Sequence, residues 1–200
     1  MVKYLKIVLF RGVDFVKKVE EFSIQEAILY SHKMTQLSKA IWKSIEKDWQ
    51  EWVKPYHLNL NEHHILWIVY HLNGASISEI AKFGVMHVST AFNFSKKLEQ
   101  RELLTFSKRE DDKRNTYIQL TDKGVELFEE TMKSFDVTPD KNSLIDASMP
   151  LRQIYGRFPE FQDLESIVKE LLGEEYLNIL DRTLENIRNN PVRQENETIK

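Results

Sequence analysis

The sequence contains no cysteine. Disulfides, thiolate catalysis and thiol redox sensing are therefore excluded. No apolar run approaches the roughly 20 residues needed to span a bilayer. The stretch Val2 to Phe10 is apolar, but Lys3 and Lys6 interrupt it and no small-residue cleavage site follows, so a cytoplasmic protein with no membrane partner is expected. Gly-rich phosphate loops, nucleophile elbows and HExxH pairs are also missing. An enzyme is not expected, and no catalytic residue, cofactor or metal is assigned. Net charge is small as well, −3 over 200 residues. What remains is the composition of a globular protein, 42% hydrophobic and 30% charged.

The charge is unevenly distributed. From Lys82 to Arg114 eight bases face five acids, and the acidic excess lies mostly after Asp122. A local positive face on an acidic protein suits binding of nucleic acid by one surface. The same stretch carries the pattern around which the chain is organised. Ser76 with Glu79 predicts a capping box. Ile77, Ile80 and Ala81 give a short helix one apolar face, and Gly84 is placed to end it in the left-handed conformation. Val85 and Met86 are the apolar residues of the turn. A second helix is expected from about His87 to Arg101, with Val88, Ala91, Ser95 and Leu98 inward. Ser89, Thr90, Asn93, Lys96 and Lys97 fall on its other side, with no acid until Glu99. Hydroxyls and amides hydrogen-bond base edges, and lysines bind phosphates or guanine. An ordinary solvated helix face would mix acids with bases.

A hairpin follows. Leu104 and Phe106, then Tyr117, Ile118 and Leu120, read as strands around a long polar loop that holds Lys108, Arg109, Lys113 and Arg114. A basic loop beside such a helix can reach the minor groove. Its acids, Glu110, Asp111 and Asp112, argue for a merely solvated turn.

These residues resemble the MarR family of bacterial transcription regulators. The matching pieces are Lys97-Leu98-Glu99, the wing motif Asp112-Lys113-Arg114 and the entry Leu120-Thr121-Asp122-Lys123-Gly124. The resemblance implies a mainly α fold: a winged helix-turn-helix with a two-stranded wing and N- and C-terminal dimerisation helices. It implies that Arg114 enters the minor groove and that Asp112 holds it by a salt bridge. The stretch from about Lys33 to Thr121 is closer still to one member, which implies a repressor of extracellular protease and sporulation genes. The lack of cysteine departs from the peroxide-sensing branch of the family.

The expected organisation is an N-terminal extension over 1–22, a winged helix-turn-helix domain with dimerisation helices over 23–172, a C-terminal helix over 173–188 and a disordered tail over 189–200. Within the domain, the helix-turn-helix spans about 77–100 and the wing about 103–120. Ser23 to Val53 predicts a long helix, capped by Ser23 and Glu26 and stopped by Pro55, with a stripe from Ile24 through Ile28, Leu37 and Ile41 to Trp49 and Trp52. Asn61 to Asn73 predicts the next, closed by Asn73-Gly74, and Asp122 to Phe135 another. His57, His63, His64 and His71 cluster there, but no acid or cysteine pair joins them, so packing is expected rather than a metal site. Pro150, Gly156 and Pro159 predict an irregular segment from Leu144 to Phe158. Glu160 to Arg188 predicts helix that Gly173 can split. Terminal helices with such wide stripes need a second copy to cover them, so a homodimer on a palindromic operator in double-stranded DNA is expected. Trp42, Trp67 and Phe83 can either line a pocket for a small-molecule effector or pack as core aromatics. A winged-helix interaction protein that does not use DNA, and a ligand-responsive repressor of a different set of genes, are the competing functions.

Overall fold

The structure is a computed structural model that describes residues 23–108, 116–138, 140–158 and 160–189. The chain divides into two units, Met1–Ala40 and Ile41–Lys200. Helix α1 (Ile24–Val53) crosses that division. Its start is the predicted capping box: Glu26 Oε2 accepts from the Ser23 N–H at 2.7 Å and Ser23 Oγ accepts from the Glu26 N–H at 3.1 Å. In the first unit the expected apolar stripe is exposed: Ile24, Ile28 and Leu37 lie at 81%, 60% and 51%. The extension over 1–22 lies outside the described residues.

In the second unit the order is α1, a short 3-10 turn (Lys54–Tyr56), α2 (Leu60–Leu72), β1 (Ala75–Ser76), α3 (Ile77–Phe83), α4 (Val88–Gln100), β2 (Leu104–Ser107), β3 (Tyr117–Leu120), α5 (Asp122–Lys133), α6 (Ser143–Tyr155), α7 (Gln162–Leu172) and α8 (Glu174–Asn189). The sheet is antiparallel in the order β1-β3-β2, with Phe106 opposite Ile118 and Ser76 opposite Tyr117. The expected two-stranded wing thus gains a third strand. At two residues β1 is too short to show period-2 alternation, but it ties the start of α3 to the wing.

The core lies under α2. Ile65, Leu66, Ile68 and Val69 are buried with Ile80 of α3, Leu98 of α4, Leu104 and Ile118 of the sheet and Phe128 of α5. The histidines pack into it. His63 Nδ1 accepts from the Trp49 indole N–H at 2.9 Å, and its Nε2 lies 3.0 Å from Thr131 Oγ1. Thr131 Oγ1 donates to the Phe128 carbonyl at 2.6 Å, so the Nε2 proton of a neutral imidazole fits this network. Burial pushes the pKa of His63 down to about 4, with the neighbouring His64 adding to the shift, and burial alone does the same to His64.

The irregular segment expected over Leu144–Phe158 is instead α6, a helix with Pro150 inside it. Asn142 caps its start by accepting from the Ile145 N–H at 3.0 Å, and Gly156 closes it at φ +70°. The carbonyl that Pro150 leaves without a helical donor is that of Asp146, which is exposed, so water can take the place of the lost bond. Gly173, at φ +87°, splits α7 from α8. Residues 190–200, most of the expected tail, lie outside the described residues. No described helix is long and apolar enough to cross a membrane.

Candidate nucleic-acid interface

Helix α3 is fixed at its N-terminus by the predicted capping box. Glu79 Oε2 accepts from both the N–H and the Oγ of Ser76 at 2.7 Å, and Ser76 Oγ accepts from the Glu79 N–H at 3.2 Å. Its C-terminus corrects the expectation. Gly84 has a right-handed φ of −76°, and Val85 takes the left-handed place at φ +48°. Met86 N–H donates to the Ala81 carbonyl at 3.0 Å and Val85 N–H to that of Lys82 at 3.3 Å, the bond pattern of a Schellman motif. Gly84 is required for space: a Cβ there would lie 2.5 Å from Met86 Cε and 2.7 Å from the Ile80 carbonyl oxygen.

That tight turn sets α4 across α3. Ala91, Ser95 and Leu98 are fully buried and hold the helix down, as expected. Val88 is not part of that face. It is 54% exposed, because it belongs to the first turn, beyond the cover of α3. Ser89, Asn93 and Lys97 are exposed and Thr90 half-exposed. No acid stands in the first turn of α4, so its positive end is left uncancelled.

The cations do not all face outward. Lys96 Nζ pairs with Glu99 at 2.7 Å and lies 4.1 Å from the centre of the Phe106 ring on the wing strand β2. Arg101 donates to the carbonyls of His57 at 2.9 Å and Tyr56 at 3.3 Å, which binds the end of α4 to the α1–α2 connection. Lys82 pairs with Glu175 on α8. Lys97 and Lys108 make no ion pair among the described residues. Lys108 is exposed just past the end of β2, where the wing loop begins. Arg109, Asp112, Lys113 and Arg114 lie outside the described residues.

The base of the wing is locked by the Leu120–Gly124 entry. Thr121 caps α5 by accepting from the Gly124 N–H at 3.0 Å, and its own N–H donates to the Leu103 carbonyl at 3.1 Å. A Cβ on Gly124 would stand 2.1 Å from that same carbonyl oxygen, so only glycine lets α5 approach the wing this closely. Trp42, Trp67 and Phe83 go to different places. Trp42 lines an open hollow with residues of α1 and the start of α2, Trp67 packs on His64 and His71, and Phe83 is buried against Tyr176 of α8.

The MarR family profile matches residues 58–116, from just before α2 up to the start of β3. The HTH-type transcriptional regulator Hpr of Geobacillus sp. (strain WCH70) is 58% identical over 90% of this chain and 89% of its own. The chain belongs to the MarR family. Regulators named Hpr from Bacillus licheniformis and Halalkalibacterium halodurans are also similar, 59% and 60% identical over 85% and 82% of this chain and 82% and 84% of their own. Among solved structures, overoxidized AbfR bound to DNA matches with a TM-score of 0.53 at 19% identity, over 74% of this chain and 98% of that one. A MarR-family regulator from Rhodococcus sp. RHA1 matches at 0.52 and 14% identity, over 71% and 94%. Both carry the same winged-helix fold. As a MarR-family protein the chain is a DNA-binding transcription regulator and not an enzyme.

Proposed function

We propose that this protein is a dimeric repressor that reads a palindromic operator, and that it holds down genes of extracellular protease production and sporulation. The observation that carries the DNA-reading part is the outer face of α4. It sets Ser89, Asn93 and Lys97 in the open and Thr90 half-exposed, above a fully buried inner face and beside a wing whose loop starts at Lys108. In this reading α4 enters the major groove. Ser89, Thr90 and Asn93 meet base edges, with the Asn93 amide able to make paired hydrogen bonds to adenine. Lys96, Lys97, Lys108, Arg109 and Lys113 bind phosphates, Lys96 after it leaves Glu99. Arg114 enters the minor groove, and Asp112 orients it. The likeness to Hpr regulators supports the choice of target genes.

The dimer is supported by apolar side chains that a single chain leaves in water. Ile24, Ile28 and Leu37 of α1 are exposed, and in the second unit so are Ile154 at 72% and Leu171 at 75%. Apolar exposure of this extent is uncommon on monomers. Two-fold symmetry then sets two reading helices about one DNA turn apart, roughly 34–36 Å.

The test is footprinting on DNA upstream of extracellular protease genes, followed by anisotropy titrations on the protected duplex and a scrambled one. Asn93→Ala should lose about 1–3 kcal/mol on the protected duplex and almost nothing on the scrambled one. Arg114→Ala should weaken both and lower the salt slope by about one per subunit. Equal weakening of both duplexes by Asn93→Ala would remove α4 as the reader. Absence of any footprint at such genes would remove the assigned targets.

A further inference from the structure

Between α2 and α6, the described residues expose three large apolar side chains: Val85 at 62%, Val88 at 54% and Phe92 at 41%. All three lie on the turn and first two turns of the helix-turn-helix. Single exposed apolar residues are ordinary, but here Val88 and Phe92 stand on consecutive turns of α4 and Val85 in the turn just before it. Val85 adds backbone strain. The described residues include four non-glycines with positive φ: His57, Asn73, Val85 and Glu102. Val85 alone among them is β-branched, the type least tolerant of that conformation. Asn73, at the same place after α2, is a residue that suits it. Burial gives no reason for valine at 85, since the side chain is mostly in water.

Val88 and Phe92 are four apart, so they lie one above the other on α4. Phe92 meets Phe106 of the wing strand edge-on, with centroids 6.1 Å apart. The next row around the helix is Ser89 and Asn93. A polar row and an apolar row therefore run side by side on the part of α4 proposed to enter the groove. The C5-methyl of thymine is the apolar group that base pairs present in the major groove.

We infer that Val85, Val88 and Phe92 are a thymine reader: they pack on thymine methyls while Ser89 and Asn93 bond polar base edges. The inference rests on α4 being the DNA-reading helix. It makes the operator half-site thymine-dependent where this row lies, and it assigns part of the specificity to residues without hydrogen-bonding groups.

The test uses full-length protein and a duplex that this protein selects from a random-sequence pool. Affinity is measured by anisotropy on that duplex and on the same duplex with every thymine replaced by uracil. The replacement removes the methyls and keeps every polar group of the groove. The wild type should bind the uracil duplex about fourfold more weakly per methyl contacted, the effect of one buried methyl group. Val88→Ala and Val85→Asn should each shrink that thymine-to-uracil ratio. Val85→Asn should do so with no fall in melting temperature, because asparagine suits the left-handed turn. Asn93→Ala should weaken binding and leave the ratio unchanged. A wild-type ratio of one, or a ratio that both valine variants preserve, overturns the thymine reader while leaving α4 as the reading helix. If no duplex is selected at all, the reading of α4 falls, and this inference with it.

Discussion

Acidification should destabilise this protein well above the pH at which its carboxylates protonate. Burial holds His63 and His64 each at a pKa of about 4 in the folded chain, against an ordinary 6.5. The unfolded chain therefore binds protons that the folded chain refuses, and stability rises with pH across the window from about 4 to 6.5. At pH 5 the unfolded imidazole is almost wholly protonated and the folded one largely neutral. Each histidine then costs about 2 kcal/mol relative to pH 7.5, and the pair about 4. That is a large part of a typical stability of 5–15 kcal/mol. The carboxyls held low, Glu26 by Ser23 and Asp136 by Thr138, act mostly below this window. Urea unfolding followed by tryptophan fluorescence at pH 7.5 and 5.0, at one protein concentration, measures the loss. Trp49 and Trp52 report directly, since both rings contact His63. His64→Gln should cut the pH-dependent loss, because glutamine does not titrate and the charge of His64 no longer adds to the His63 shift, while His63 and the half-buried His71, also held low by burial, keep the remainder. Equal unfolding midpoints at the two pH values, or an unchanged loss in His64→Gln, would refute the buried neutral pair.

Gly124→Ala should lower the melting temperature sharply, because its Cβ would meet the Leu103 carbonyl oxygen at 2.1 Å and neither backbone can yield. A cost of about 3 kcal/mol corresponds to roughly 6–12 °C here, and a shift under one degree by calorimetry would contradict the close approach of α5 to the wing. Arg101→Met should cost about 1–3 kcal/mol by releasing the carbonyls of Tyr56 and His57. It should leave the salt slope of DNA binding unchanged, and a slope lower by about one would mean that Arg101 touches phosphate after all.

Local rules carried most of the helix-turn-helix. The Ser76–Glu79 and Ser23–Glu26 boxes, the Asn73-Gly74 stop and the inward Ala91, Ser95 and Leu98 are short-range signals, and the structure has them. The differences lie where the actual backbone path or exposure departs from a local habit. Glycine usually takes the left-handed place after a helix, and Gly84 was read that way. Its constraint is the approach of Met86 and the Ile80 carbonyl, close in sequence but set by the path of the turn rather than by residue pattern. Val88 matched the inward spacing, but periodicity cannot tell that the first turn of α4 runs past its cover. Pro150 signals a break, yet α6 continues through it, and its exposed side lets water meet the freed Asp146 carbonyl. The mutual packing of Trp49, His63 and Thr131 joins residues 14 and 68 apart in sequence, beyond any window.

The cation count and the fold differ in a useful way. Eight bases against five acids between Lys82 and Arg114 point to a local positive face. In the fold Arg101 is turned to backbone carbonyls, Lys96 is paired with Glu99 and Lys82 with Glu175. The Lys82 pair is exposed on both sides and holds little energy. Arg101, in contrast, is fixed by two hydrogen bonds. In the proposed reading of α4 and the wing, the positive charge offered to DNA is then expected from Lys97, Lys108 and the bases of the wing loop, together with Lys96 once it exchanges Glu99 for phosphate. Phosphate contacts give affinity for any duplex, whereas base contacts give preference for one. With Arg101 turned inward and Lys96 and Lys82 paired among the described residues, weak binding of random DNA is expected. On that expectation, the proposed hold on an operator comes in larger part from the row of Ser89 and Asn93 and from what packs beside it, which would make the exposed Val88 and Phe92 matter more here than on a basic protein.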